Sequence, residues 1–366
     1  MPNDDGLEEL LGALDLKAKP TAKGSAKIAL PPPNRRFTQA LESSKFTIFD
    51  SVSDLGYFSW TPKGPYKSLS QIRSASEMID MIDTDEKPNR IADIARINRS
   101  LPRDFESLPP QKHKNKYPFS HPYVVQLHVA VNHRGLNLED VDFVFGGSTL
   151  GVLATSINDK EDVEYFSALI PGTEIVMVTK ASEYEQDYSA FGFQFERLVT
   201  GEKFSDLHST ECIEHVHYMK IGKYRVLLTG QTDAVDSSNN PVEISTSNPR
   251  WWGISKMFQM ISSGSIKFCA GNRRKKSLMN IKMMSLSEMI SQALVRKDVR
   301  QLEKNILQNM DKLAKLLKYA SSGGLENRYA PRRISFDGPG NKLELTLRED
   351  KGLLPPDEVV KDLLNI

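Results

Sequence analysis

Two cysteines, Cys212 and Cys269, are too few to staple a chain of 366 residues, so a disulfide framework is excluded and a reducing compartment suits the composition. Long apolar runs are also missing. No stretch approaches the roughly 20 consecutive apolar residues that a bilayer span needs, so no membrane segment is expected. Net charge is nearly absent: 48 Lys and Arg against 47 Asp and Glu leave +1 at pH 7. No global basic field therefore argues for nucleic acid, and any RNA contact must come from a local patch. Asn3, Asp4 and Asp5 stand where a signal peptide would carry its positive charge, so a nuclear or cytoplasmic location is the expectation. No internal repeat is visible.

What remains is an ordinary globular composition, 39% hydrophobic and 26% charged. Residues 1–34 read as a disordered arm, with Lys, Ala, Gly and Pro through residues 17–27 and then Pro31, Pro32 and Pro33. Within the arm, Leu7, Leu10, Leu11 and Leu14 share a helical face, and Leu7, Leu10, Leu14 and Leu16 have the spacing of a leucine-rich export signal; the plainer reading is a stray amphipathic turn. Residues 35–366 are expected to form one domain.

The pattern predicts short strands over 35–62, where Phe37, Ile48, Phe49, Tyr57, Phe58 and Trp60 alternate with polar residues. Helices are predicted over 68–82, 91–97, 183–200, 251–261 and 287–320, and a short one follows Pro355-Pro356. Residues 142–155 and 174–179 read as strands around a bend at Gly146-Gly147, with a turn at 158–162. Residues 265–270 with 279–285, and 332–349, read as hairpins. Residues 123–138 are ambiguous. Residues 108–122 form a proline-bracketed loop whose Lys112, Lys114 and Lys116 are a phosphate contact or merely solvated.

The chemistry concentrates in residues 224–247. Tyr224 to Thr229 and Val242 to Thr246 have strand character, with turn residues 237–241 between them. Residues two apart on a strand share a face, so Gln231 pairs with Asp233 and Glu243 with Ser245. If the strands pair, two acidic groups meet, an arrangement that is costly unless solvated or bound to a cation. Upstream, Glu196 lies beside a helical stripe of Tyr188, Phe191, Phe195 and Leu198, and Gly192 leaves a gap one turn before it. His215 and His217 share one strand face, and such a pair can ligate zinc. No second ligand cluster is visible, which favours an ordinary sheet pair. Residues 271–276, with Arg273 and Arg274, are the most cationic stretch and suit an RNA backbone, a protein partner or water.

These motifs, in this order, resemble the decapping exoribonuclease (DXO) family, whose members hydrolyse RNA 5′ ends with divalent metal. The family has G-Φ-x-Φ-E on a helix (Φ apolar), then E-Φ-D and E-Φ-K on strands, then a Gln on a helix after a Trp-rich stretch. Here the matches are Gly192 to Glu196, Gln231-Thr232-Asp233, Glu243-Ile244-Ser245, and Gln259 after Trp251-Trp252. The resemblance covers about residues 140–285. It implies an α+β fold of two mixed β-sheets flanked by helices around a central cleft. It favours a helix over 123–138. It also implies Mg2+ or Mn2+ held by Glu196, Asp233, Glu243 and the Ile244 carbonyl, with Gln259 on the phosphate or a water and RNA 5′ ends as the partner.

Three departures stand against full activity. Gln231 replaces a glutamate, Ser245 a lysine, and Gly147 an arginine beside a turn. The resemblance thus implies either a degenerate site that binds RNA ends or a protein, or a working nuclease in which Arg250 or Lys256 supplies the missing cation.

Overall fold

The computed structural model describes residues 35–43, 45–60, 69–85, 90–93, 97, 101–107, 112–114, 123–157, 164–181, 185–187, 189–201, 213–246, 254–295, 297–322, 328–337, 342–347 and 354–366. The amino-terminal arm with its leucines, the 158–162 turn, Cys212, Trp251 and Trp252 lie outside them.

The strands are β1 Phe49–Trp60, β2 Ile82–Asp83, β3 Arg103–Asp104, β4 Lys112–Lys114, β5 Phe143–Gly146, β6 Glu164–Leu169, β7 Val176–Ala181 and β8 Glu185–Asp187. After them come β9 Ile213–Ile221, β10 Tyr224–Gln231, β11 Ala234–Val235, β12 Pro241–Ser245, β13 Lys267–Arg274, β14 Ser277–Ser285, β15 Arg332–Asp337 and β16 Lys342–Leu347. The α-helices are α1 Arg35–Glu42, α2 Ala75–Ile79, α3 Val124–His128, α4 Gly147–Thr155, α5 Phe191–Thr200, α6 Ile254–Ser262, α7 Leu286–Ala293, α8 Val299–Ser322 and α9 Asp357–Leu364.

A nine-stranded sheet runs β16-β15-β6-β7-β5-β10-β9-β1-β2, and a five-stranded one runs β11-β12-β13-β14-β3. Both are mixed. In the larger, β5 is parallel to β7 and β10; in the smaller, β12 is parallel to β13 while β14 is antiparallel. β4 and β8 form a separate pair. The α+β class with two mixed sheets is therefore as the resemblance implied.

The centre of the large sheet shows why its strands read as continuous apolar runs: both faces are covered. Phe143, Phe145, Val226 and Leu228 point into one core with α4, α6 and α8, while Val144 and Leu227 point into another with α3 and α9. Leu302, Ile306, Met310, Leu313 and Leu317 supply the buried stripe of α8. Two buried asparagines on the same helix finish α4: Asn305 Nδ2 donates to the Ala154 carbonyl at 2.7 Å and Asn309 Nδ2 to Leu153 at 2.8 Å. These carbonyls end a helix and would otherwise be unsatisfied. Ser285 and Glu288 form a capping box that starts α7.

Several expectations need correction. Residues 147–155 are helix, not strand; an apolar segment buried on all sides gives no period by which to choose. Residues 35–42 form α1, with Phe37 and Leu41 buried, and only 49–60 is strand. The predicted helix over 183–200 is confined to 191–200, since 185–187 pairs with 112–114. The long helix over 287–320 is two helices broken between Ala293 and Val299. In 91–97, Ile91 bridges Val235 instead of starting a helix. The 68–82 segment holds a 3-10 turn at Leu69–Gln71 before α2. Residues 124–133 are helical, ending in a π turn.

Candidate active site

β10 and β12 do not pair: they belong to different sheets. The chain leaves β10 at Gln231, and β11 pairs antiparallel with β12 instead. The connecting turn is held by Asp236. Its Oδ1 accepts from the Ser238 N–H at 2.8 Å and the Asn240 N–H at 3.0 Å, and its Oδ2 from Lys267 Nζ at 2.6 Å. Burial pushes the Asp236 carboxyl up, but Lys267 and the turn amides outweigh it and bring its pKa down to about 2. Asn239 takes the left-handed backbone the turn requires, at φ 60°.

This turn fixes the two acidic strand ends. Asp233 is half-buried, and its Oδ2 accepts from the Ile244 N–H at 2.9 Å. Asp233 thus lies against the segment that carries Glu243 and the Ile244 carbonyl. Glu243 is 4% exposed, a depth at which a carboxylate is kept only when paired. Strand parity decides what each residue faces. Val242 and Ile244 pack with Phe195 and Val199 of α5, so Glu243 and Ser245 share the opposite face with Phe268 and Ala270, their respective neighbours on β13. Gln231 is exposed at the end of β10.

Glu196 sits half-buried on α5, one position beyond the buried Phe195. A Cβ at Gly192 would meet nothing within 4 Å, so the helix turn before Glu196 opens onto free space. Phe195 in turn requires Gly271 on β13, where a Cβ would lie 2.8 Å from its ring. Arg273 stacks its guanidinium 4.7 Å from the Phe191 ring, which carries the cationic β13–β14 hairpin to the start of α5. Arg273 and Arg274 are both exposed. Residues 92–93 tie the smaller sheet's edge to α5: the Ala92 N–H donates to Val235 O at 2.9 Å and the Asp93 N–H to Val199 O at 3.0 Å.

Gly147 is closed in. A Cβ there would lie 2.3 Å from the Phe258 carbonyl, 2.4 Å from Ser262 Oγ and 2.6 Å from Gln259 Cα. α4 therefore begins directly against the backbone of α6, beside the half-buried Gln259. Lys256 lies on the same helix; its side chain, like all of Arg250, falls outside the described residues.

Sequence reasoning missed two groups. Glu214, buried on β9, accepts from Thr229 Oγ1 at 2.6 Å and Gln126 Nε2 at 2.8 Å; both partners are distant in sequence, so no local pattern points to the network. The second is Asp54, placed by β1 beside His215 and His217. Among the described residues, this is the one group of three histidine, cysteine or acidic side chains whose ligand atoms all lie within 4.8 Å of one another. Glu196, Asp233 and Glu243 do not close to that spacing. Cys269 is a buried free thiol whose pKa burial pushes up to about 12, which leaves it inert. Among the described residues no helix is long and apolar enough to cross a membrane.

The fold is shared with solved Rai1 structures, in keeping with the two-sheet architecture the resemblance implied. No family model and no curated protein matches the chain, but solved structures do. Rai1 of S. pombe superposes with a TM-score of 0.56 at 15% identity, over 84% of this chain and 98% of that one. Rai1 of Candida albicans, solved with pU5 and Mn2+, gives 0.53 at 12% identity over 89% and 98%. Rai1 of Scheffersomyces stipitis, solved with (3′-NADP)+ and calcium, gives 0.53 at 12% over 88% and 97%.

Proposed function

We propose that this protein recognises RNA 5′ ends through a DXO-type cleft whose hydrolytic site is weak or inactive. The RNA part of this reading is supported by the shared fold and by the RNA or nucleotide ligands bound in structures of that fold. The loss of catalysis is carried by one observation: Gly147 is seated on the α6 backbone. A guanidinium cannot be accommodated there without moving that helix.

Phosphoryl hydrolysis builds charge on an already anionic group, so electrostatic stabilisers do most of the work. Asp233, Glu243, the Ile244 carbonyl and Glu196 are hard oxygen donors of the kind that suits Mg2+ or Mn2+; because the three carboxylates do not close to direct ligand spacing, an ion offsetting the phosphate charge would be held partly through water. Gln231 offers an amide where a charge is expected. Ser245 offers no ammonium, and position 147 no bidentate grip. Each lost stabiliser commonly costs about 10²–10³ in rate, and the combination roughly 10⁴ or more, without strict additivity. Binding loses less, because the exposed Arg273 and Arg274 still supply cations for a phosphate backbone.

The test is to incubate the full chain with 5′-monophosphate, 5′-triphosphate and capped RNAs in Mg2+ or Mn2+, following cleavage and filter retention together. Retention with little or no cleavage supports the proposal. Rapid cleavage that disappears in Asp233→Ala and Glu243→Ala makes the protein a working decapping nuclease instead. Neither activity removes RNA from the account and leaves a protein-interaction module on a nuclease scaffold.

A further inference from the structure

We infer a transition-metal site, zinc in class, formed by Asp54 on β1 with His215 and His217 on β9. It shares no residue with the RNA-end site and stands independently of that reading.

The strands place the three residues by register. β1 and β9 are antiparallel, with Asp54 opposite His217 and Tyr57 opposite His215. A bulge between Asp54 and Gly56, where Gly56 has φ +85°, turns the carboxylate toward the imidazoles. His215 and His217, two apart, face the same side, their ring centroids 4.1 Å apart.

The hydrogen bonds say what is missing. His215 Nδ1 lies 2.9 Å from the Ser263 carbonyl, which can only accept, so this nitrogen carries the proton. Its Nε2 faces Asp54 Oδ1, 2.7 Å away, a hydrogen-bond distance that a shared proton bridges; an ion held by both would replace that proton and open the pair to about 3.3 Å, the ligand spacing of a tetrahedral site with bonds of about 2.0 Å. An imidazole that donates one N–H to a backbone carbonyl and turns the other nitrogen to a carboxylate has the outer arrangement of a metal-ligating histidine. His217 is the independent witness. It is fully buried, and neither ring nitrogen makes a well-formed hydrogen bond: the nearest backbone acceptor, the Ser263 carbonyl, is already taken by His215. A buried polar group is almost always paired, and a metal ion would satisfy one of these nitrogens.

The surroundings fit an ion held on one open side. Phe37 stacks on His217 and Tyr57 on His215, shielding both rings. Gly264, at φ +65°, lets the turn after α6 close on them; a Cβ there would lie 2.3 Å from His217 Nε2. The Asp54 side chain is 34% exposed and leaves a route to solvent. Two imidazoles and a carboxylate select zinc or a similar ion over magnesium or calcium, which prefer all-oxygen shells. Three protein ligands leave a fourth position for water on the Asp54 side. The ion would clamp β1 to β9.

The experiment uses the full chain, wild type and Asp233→Asn/Glu243→Gln, stripped with chelator and then titrated with Zn2+ or Co2+. Metal content after desalting, the Co2+ visible spectrum and the thermal midpoint are recorded. One equivalent should remain in both proteins, with a cobalt spectrum of nitrogen ligation and a midpoint raised by Zn2+. Asp54→Asn and His217→Phe should each weaken binding by at least the roughly 10–100-fold that losing even an outer partner costs, and abolish the rise in midpoint. Absence of a stoichiometric ion in the wild type overturns the site, as does full retention in Asp54→Asn. Should His217→Phe not fold, the near-isosteric Asp54→Asn decides.

Discussion

Gly147→Ala is the most informative single perturbation of the site. Alanine at a helix position is ordinarily better than glycine by up to about 1 kcal/mol. Here the added methyl would meet the Phe258 carbonyl at 2.3 Å and Gln259 Cα at 2.6 Å, both backbone atoms that cannot rotate away. Relief requires α4 and α6 to separate by about 1 Å across buried Leu150, Phe258 and Ile261. Overpacking of this kind costs about 1–3 kcal/mol, so net destabilisation should be about 2 kcal/mol. The thermal midpoint should fall by roughly 3 °C for a chain of this size. Gly192→Ala is the matched control: nothing lies within 4 Å of its Cβ, and it should be neutral or slightly stabilising. Urea and thermal unfolding of the two variants beside wild type make the comparison. Gly147→Ala as stable as wild type would refute the close seating of α4 on α6, and with it the claim that position 147 cannot carry a cation.

Three further outcomes are expected. Asp236 has a carboxyl lowered to about 2 in the folded chain against about 3.9 in an unfolded one. Its contribution, about 2 kcal/mol, is present above the unfolded value and disappears as pH falls from there through 2; Asp236→Asn should lose it at neutral pH and narrow the gap to wild type in acid, as read by urea unfolding across that range. Asn309→Ala leaves the buried Leu153 carbonyl without its donor and should cost about 1–3 kcal/mol in the same assay. Restoring charge with Gln231→Glu and Ser245→Lys should raise Mn2+-dependent cleavage of 5′-monophosphate RNA by roughly 10², one stabiliser's worth; no gain would indicate a reshaped cleft.

The sequence was most legible where periodicity and turn chemistry agree. The β13–β14 hairpin, the α8 stripe from Leu302 to Leu317 and the turn at 237–240 follow directly from residue pattern. Gly147–Thr155 was misread because apolar residues on all sides carry no period, and what makes it a helix is its contact with α6. The pairing of residues 224–231 with 241–245 failed for a similar reason. Both segments are good strands, but partner choice is set by parallel β5 and β13, distant in sequence. Asp54 was invisible as a ligand because it lies 161 positions from His215 in a strand with no histidine or cysteine of its own. For the acidic motifs, order alone brought Asp233 and Ile244 together.

The central claim, recognition of RNA 5′ ends without efficient hydrolysis, is tested most directly by equilibrium binding of one 5′-monophosphate RNA in Mn2+. Wild type is compared with Asp233→Asn/Glu243→Gln, and the RNA is recovered afterwards to check its length. The account predicts intact RNA, affinity that falls with salt, and weaker binding by the double variant. RNA shortened from its 5′ end at many turnovers per minute, or affinity that ignores both the 5′ phosphate and the two carboxylates, would contradict it.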